Sequence, residues 1–180
     1  MKKAIILTWS GFQDQEVIYP FYRLLGAGYQ VECVADKKDD AGRVYGILGA
    51  HVPCTMTISD FLQKSQADWS DYNLLVIPGG VKALEKIRLE KGVVDFVRRW
   101  NEEGRAIAST CHGAQLLISA KATKGRVISG YYSIEDDIVN SGAEYSRLPV
   151  VEDGNIVSSP HYDHMGAWME TAIRLAEKGL

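Results

Sequence analysis

Apolar residues fall along the chain in short unbroken runs, and between those runs they recur at helical spacing. The runs lie at 3–8, 30–35, 73–77, 106–110 and 155–158. Each is too short for a helix and predicts a strand; 106–110, apolar or small throughout, suits a strand covered on both faces, and 73–77 has the same buried character. Between the first two, Val17, Ile18, Phe21, Leu24 and Leu25 share one face of a helix over 14–25. Pro20 sits inside that pattern, so the helix is either kinked there or begins later. Gly26 or Gly28 ends it. Val93, Val94, Phe96, Val97 and Trp100 define a second helix over 92–101, reached by a loop from the strand at 73–77. A short helix at 58–62 and a closing helix at 165–178 follow the same logic, and 44–52, broken by Gly46 and Gly49, reads as a hairpin outside the main sheet. After residue 122 come a strand at 126–129, a helix at 133–140 opened by a Ser133/Asp136 capping box and stopped by Gly142, and short strands at 143–145 and 149–151. Strands alternating with helices predict one α/β domain over 1–180, a flavodoxin-like sandwich with a largely parallel sheet and helices on both faces.

The stretch 105–122 organises the rest. The buried strand 106–110 passes to helical spacing at Leu116, Leu117 and Ala120 within a one- or two-residue turn, and Cys111 occupies that turn. This is the form of a nucleophile elbow, which thrusts a side chain out at the carboxyl end of a sheet. Gly113, two residues on, gives the backbone room, and Ser109 is small enough for the position two before. A thiol at a helix start is expected to be acidified by unpaired N–H groups and the dipole. The alternative is a buried structural cysteine.

Composition narrows the function classes. The 180 residues are 46% apolar and 24% charged with a formal charge of −3, and no dense Lys/Arg run appears. Nucleic acid and membrane are therefore poor partners, and a small molecule or peptide is the expected substrate. Cys33, Cys54 and Cys111 form no CxxC pair, so neither a disulfide framework nor a cysteine zinc site is indicated, and no metal or cofactor is expected. The apolar run after Met1 meets Gly11, Gln13 and Asp14 too soon for a signal peptide; a cytoplasmic location is expected.

In open α/β sheets the chemistry gathers at the carboxyl ends of the strands. Those ends lead to Gln13, Asp14 and Glu16, to Gly79-Gly80, to Cys111-His112, and to His161-Tyr162-Asp163-His164. The Gly80 and His112 N–H groups could form an oxyanion hole, although Pro-Gly-Gly alone is only a turn. Glu16 reads equally as a solvated first-turn residue favoured by its helix dipole, and His161 and His164 as caps of the last helix. Cys33 reads as a core residue, and neither Cys54 nor His51 has an evident partner.

FQDQEVIYP, LLVIPGG, AIASTCHGAQLLISA and VVEDGNIVSS, in that order, resemble the PfpI-type intracellular proteases of the ThiJ/PfpI superfamily, within the class I glutamine amidotransferase-like fold. The resemblance implies Cys111 as nucleophile, His112 as its partner, and Glu16 as the carboxyl hydrogen-bonded to the thiol. It also implies Glu85 reaching the Cys-His pair from a neighbouring subunit, hence a homodimer or larger homo-oligomer, and a site tyrosine at Tyr131. Gln13 replaces a usual glutamate, and His161-x-Asp163 stands where true amidotransferases carry His-x-Glu. A second histidine for Cys111 is the idea this raises. Three functions follow. The first is a cysteine-dependent peptidase or amidase. The second is a cofactor-free glyoxalase or deglycase acting on methylglyoxal-type aldehydes. The third is a non-catalytic redox-sensing stress protein.

Overall fold

The computed structural model describes residues 2–178. Along the chain run β1 (Lys2–Leu7), α1 (Asp14–Gly26), β2 (Tyr29–Ala35), β3 (Arg43–Tyr45), β4 (His51–Pro53), β5 (Met56–Thr57), α2 (Ile58–Gln63), β6 (Leu74–Ile77) and α3 (Val81–Ile87). The second half holds α4 (Lys91–Glu102), β7 (Ala106–Thr110), α5 (Ala114–Ser119), β8 (Val127–Ile128), α6 (Glu135–Asn140), β9 (Glu144–Tyr145), β10 (Val151–Asp153), β11 (Ile156–Ser159) and α7 (Met165–Glu177). The main sheet has the order β10-β11-β7-β6-β1-β2-β5. Every pair in it is parallel except β10 with β11.

All residues of β6 and β7 are buried, although neighbours on a strand point to opposite faces, so helices cover the sheet on both sides. Helix α7 packs on α1, β7 and β11, while α5 packs on α3, α4 and α6. Trp100 and Trp168 lock two of these helices down: their indole N–H groups donate to the carbonyls of Ala106 and Val157 at 3.0 and 3.3 Å. Fully burying such side chains contributes roughly 2–3 kcal/mol each. From β1 the chain steps one way to β2 and the other way to β6, so the topological switch lies beside β1. The loops after β1, β6 and β7 therefore open into one crevice.

Several expectations are corrected. The loop expected after Gly80 is the helix α3; its signal was Ala83, Leu84 and Ile87, all buried at helical spacing, but Gly80 gave no capping side chain to mark its start. The Ser133/Asp136 capping box does not form. A 3-10 turn, Tyr132–Ile134, precedes α6, whose cap residue Ile134 offers no side-chain bond. The strand expected at 149–151 lies at 151–153, and 126–129 contributes only β8, paired with β9 in a separate two-stranded sheet. Pro20 is accommodated inside a helix running from 14 to 26.

The β3–β4 hairpin is tied back to the crevice by Asp14. Its buried carboxylate accepts from the N–H groups of Leu48 and Ala50 at 2.8 and 2.9 Å. A Cβ on Gly46 would lie 2.5 Å from that carboxyl, so only glycine fits there. Each hydrogen bond to a charged group contributes about 2 kcal/mol. With two such bonds, Asp14→Ala should lower the stability measured by urea denaturation by about 4 kcal/mol, and expose the 46–50 loop to proteolysis. A loss below about 1 kcal/mol would show that the clasp is dispensable.

Candidate active site

Cys111 sits where strand β7 ends, on a 3-10 turn, Cys111–Gly113, that leads into α5. Its φ is +56°, a left-handed conformation that non-glycine residues rarely adopt and that costs on the order of 1–3 kcal/mol. The elbow expected from the sequence is present. Gly113 is required by it: a Cβ there would meet the Ile77 carbonyl oxygen at 2.4 Å. Gly79 is equally constrained, with a Cβ position 2.4 Å from Glu16 Oε2 and 2.7 Å from Cys111 Cβ. Glycine at 79 therefore lets thiol and carboxyl approach each other.

Glu16, on the first turn of α1, is wholly buried, which rules out the solvated first-turn alternative. Its Oε2 accepts from the Gly79 N–H at 2.7 Å, while Oε1 has no hydrogen-bond partner. Burial pushes its carboxyl up to about 7, against the pull of the Gly79 N–H and of the Cys111 thiol. Cys111 is 7% exposed. Burial first, and the facing Glu16 charge second, raise its thiol, while the His112 and Gly80 N–H groups pull it down. The expected acidification is thus reversed in the resting site. The sulfur lies beneath the surface rather than at a wet helix tip, and one 3-10 turn carries little dipole. A proton on Glu16 converts it from a like charge into a donor toward a thiolate.

The N–H groups of Gly80 and His112, expected to form an oxyanion hole, lie near enough to the sulfur to pull its pKa down. His112 Nδ1 lies 3.4 Å from Cys111 Sγ. The imidazole is nearly buried, and burial lowers its pKa, so it rests neutral at pH 7. Tyr131 stacks on it at 4.9 Å between centroids, and the Tyr131 N–H donates to the Cys111 carbonyl at 3.2 Å.

His161 lies against Tyr131, 6.1 Å from it centroid to centroid, and makes no hydrogen bond to Cys111. Its Nδ1 accepts from the Asp163 N–H at 3.4 Å and stands 3.0 Å from the Asp163 carboxylate. It caps the 3-10 turn Tyr162–His164 that leads into α7, and its ring belongs to a series of aromatic contacts, His112–Tyr131–His161–Tyr162. Glu85 is on the exposed face of α3 and makes no hydrogen bond to Cys111 or His112 of its own chain. Sequence reasoning missed Ser133, whose Oγ lies 3.5 Å from His112 Nε2. No group of three or more His, Cys, Asp or Glu side chains among the described residues is placed to hold a metal ion. Nor is any described helix long and apolar enough to cross a membrane.

Cys33 and Cys54 are buried in and beside β2, and burial raises both thiols. Neither has an imidazole beside it. Iodoacetamide at pH 7, read by peptide mass spectrometry, should modify Cys111 first; faster modification of Cys33 or Cys54 would remove the basis for a reactive Cys111.

The DJ-1/PfpI family description matches residues 2–175. Deglycase PfpI of Pyrococcus furiosus is 36% identical over 173 residues, covering 96% of this chain and 98% of that protein. General stress protein 18 of Bacillus subtilis is 32% identical over 179 residues, covering 98% of each. Among solved structures, a two-domain protein with DJ-1/ThiJ/PfpI-like and ferritin-like domains from Anabaena variabilis superposes with a TM-score of 0.86 at 28% identity. That match covers 97% of this chain and 48% of the other.

Proposed function

The chain belongs to the DJ-1/PfpI family, and from that premise we propose that it is a cysteine-dependent enzyme of deglycase or glyoxalase type. Its substrates on this reading are small 1,2-dicarbonyl aldehydes, free or as reversible adducts. The observation that carries the reading is the enclosed pair of Cys111 and Glu16, the carboxyl held near pH 7 against a thiol only 7% exposed. A small aldehyde can reach such a sulfur more readily than a folded polypeptide's amide can. Relatives carrying the name deglycase add support.

The chemistry balances without a cofactor. The Cys111 sulfur adds to the aldehyde carbon, and its proton passes to the new oxygen, giving a hemithioacetal. Glu16 as carboxylate takes the proton from that carbon, leaving an enediolate, and returns it to the neighbouring carbon. The product is a thioester of a 2-hydroxy acid, which water hydrolyses to the free acid and the thiol. A carboxyl that titrates near the working pH suits both directions of that transfer. The N–H groups of Gly80 and His112 lie beside the sulfur, where charge develops on the substrate oxygen.

Peptide hydrolysis, the leading expectation from sequence, calls for a groove that admits an extended chain. The cleft of about 1160 Å³ at the opposite end of the sheet, beside Lys3, Asn73, Arg105 and Asn155, does not include Cys111. The test is a parallel assay of 2-hydroxy acid formation from methylglyoxal and of fluorogenic peptide cleavage. Aldehyde turnover without peptide turnover is expected; the reverse would overturn the reading.

The proposal includes a homo-oligomer in which Glu85 approaches a neighbour's Cys-His pair. Helix α3 presents Glu85 to solvent next to the exposed Val81, with Leu89 exposed just beyond its end. Sedimentation at micromolar concentration should show a dimer or larger. A monomer with full activity would contradict a shared site.

A further inference from the structure

The two nitrogens of the His112 ring face different groups. Nδ1 lies 3.4 Å from the Cys111 sulfur, and Nε2 lies 3.5 Å from the Ser133 hydroxyl. The ring plane is set by the stack on Tyr131, at 29° between planes. Ser133 belongs to the turn Tyr132–Ile134, and the residue before that turn, Tyr131, donates its N–H to the Cys111 carbonyl. Hydroxyl, ring and thiol are thus fixed to one another through the backbone of the elbow.

A neutral imidazole has one N–H and two places to put it. With the proton on Nδ1, the ring would present a donor to the S–H and could not take its proton. With the proton on Nε2, Nδ1 is a bare acceptor facing the thiol. A hydrogen-bond partner at one nitrogen decides which tautomer is held. We propose that Ser133 is a positioning residue for Cys111: its hydroxyl accepts from the Nε2–H of His112 and keeps Nδ1 free to take the thiol proton. In that step the S–H bond breaks and an Nδ1–H bond forms. The resulting imidazolium still donates through Nε2 to Ser133.

The titrating groups around the ring are Cys111 on its own turn, Glu16 facing the thiol from α1, and Tyr131 against the ring face; His161 lies against Tyr131. Glu85 makes no hydrogen bond or ion pair within the chain among the described residues, so within one chain Ser133 is the side chain that meets Nε2 of His112. The proposal rests on the reading of Cys111 as nucleophile. A hydroxyl is neutral, so its support for the imidazolium is smaller than a carboxylate's, on the order of tenfold in thiol reactivity.

The test follows the thiol itself and needs no substrate. Iodoacetamide alkylation of Cys111 is measured against pH in the full chain, for wild type, Ser133→Ala and Ser133→Thr, with near-ultraviolet circular dichroism confirming the fold. Ser133→Ala should react about tenfold more slowly at pH 7, with its midpoint raised by about one pH unit, and Ser133→Thr should restore both. Nitrogen-15 spectra of the His112 ring should show the Nε2–H tautomer in wild type and a mixture in Ser133→Ala. An unchanged alkylation midpoint, or an unchanged tautomer in Ser133→Ala, would overturn the proposal. A chain inert toward methylglyoxal that still shows the midpoint shift would sink the deglycase reading and leave this one standing.

Discussion

Cys111→Ser is expected to lower methylglyoxal turnover by about 10⁴-fold or more, the scale seen when a covalent nucleophile is removed. The substitution is close to isosteric, and the left-handed turn that holds the side chain belongs to the backbone, so the fold should persist. A serine hydroxyl, however, ionises far above any pH at which the protein is folded. The Gly80 and His112 N–H groups that steady a thiolate cannot bring a serine alkoxide into range. Circular dichroism and sedimentation should match wild type while turnover disappears. Retention of more than about a tenth of the activity would move the chemistry away from the elbow.

The second large effect is expected at Glu16. Glu16→Gln keeps an acceptor for the Gly79 N–H but cannot carry a proton between substrate carbons, so turnover should fall about 10²–10³-fold. Glu16→Asp, one methylene shorter, keeps the proton and should retain more activity. The same residue sets a stability profile whose sign is definite. Its folded pKa, about 7, lies above the ordinary 4.5, so the folded state binds the proton more tightly than the unfolded chain does. The stabilisation is full below about pH 4.5 and is lost as pH rises through 7, leaving wild type about 3 kcal/mol less stable at pH 8 than at pH 4.5 through this group. Urea denaturation should show that fall in wild type and its absence in Glu16→Gln. Parallel profiles in the two chains would mean that Glu16 is not the buried acid described here.

Much of this was legible in the residues. The five apolar runs became the strands β1, β2, β6, β7 and β11; β6, β7 and β11 are buried throughout and leave no polar alternation to misread, while β2 keeps alternating Gln30 and Glu32 toward solvent. The elbow was legible for a local reason: strand, turn and helix follow one another within a dozen residues, and Gly113 is demanded by a close carbonyl. What escaped depends on residues brought together from afar. Asp14 holds a hairpin 34 and 36 residues further on, and nothing near it in sequence announces that. Ser133 looked like a helix cap because Asp136 follows at capping distance, but the 3-10 turn before α6 directs its hydroxyl to His112 instead. His161 did find the carboxylate at 163, yet its ring meets Tyr131, from another segment, and makes no hydrogen bond to Cys111. The state of the Cys111 thiol was misjudged because helix-start reasoning assumes water nearby, and burial outweighs the N–H groups when water is absent.

On this mechanism the Cys111 sulfur forms a covalent bond to an aldehyde carbon. Rapid mixing of the protein with one equivalent of methylglyoxal, followed by acid quench and peptide mass spectrometry, measures that bond directly. A transient adduct of one methylglyoxal on the peptide containing Cys111 is expected, decaying as 2-hydroxy acid appears, and accumulating as hemithioacetal in Glu16→Gln. Turnover of methylglyoxal with no adduct at Cys111 in either chain, or with the adduct only on Cys33, Cys54 or surface lysines, would contradict it.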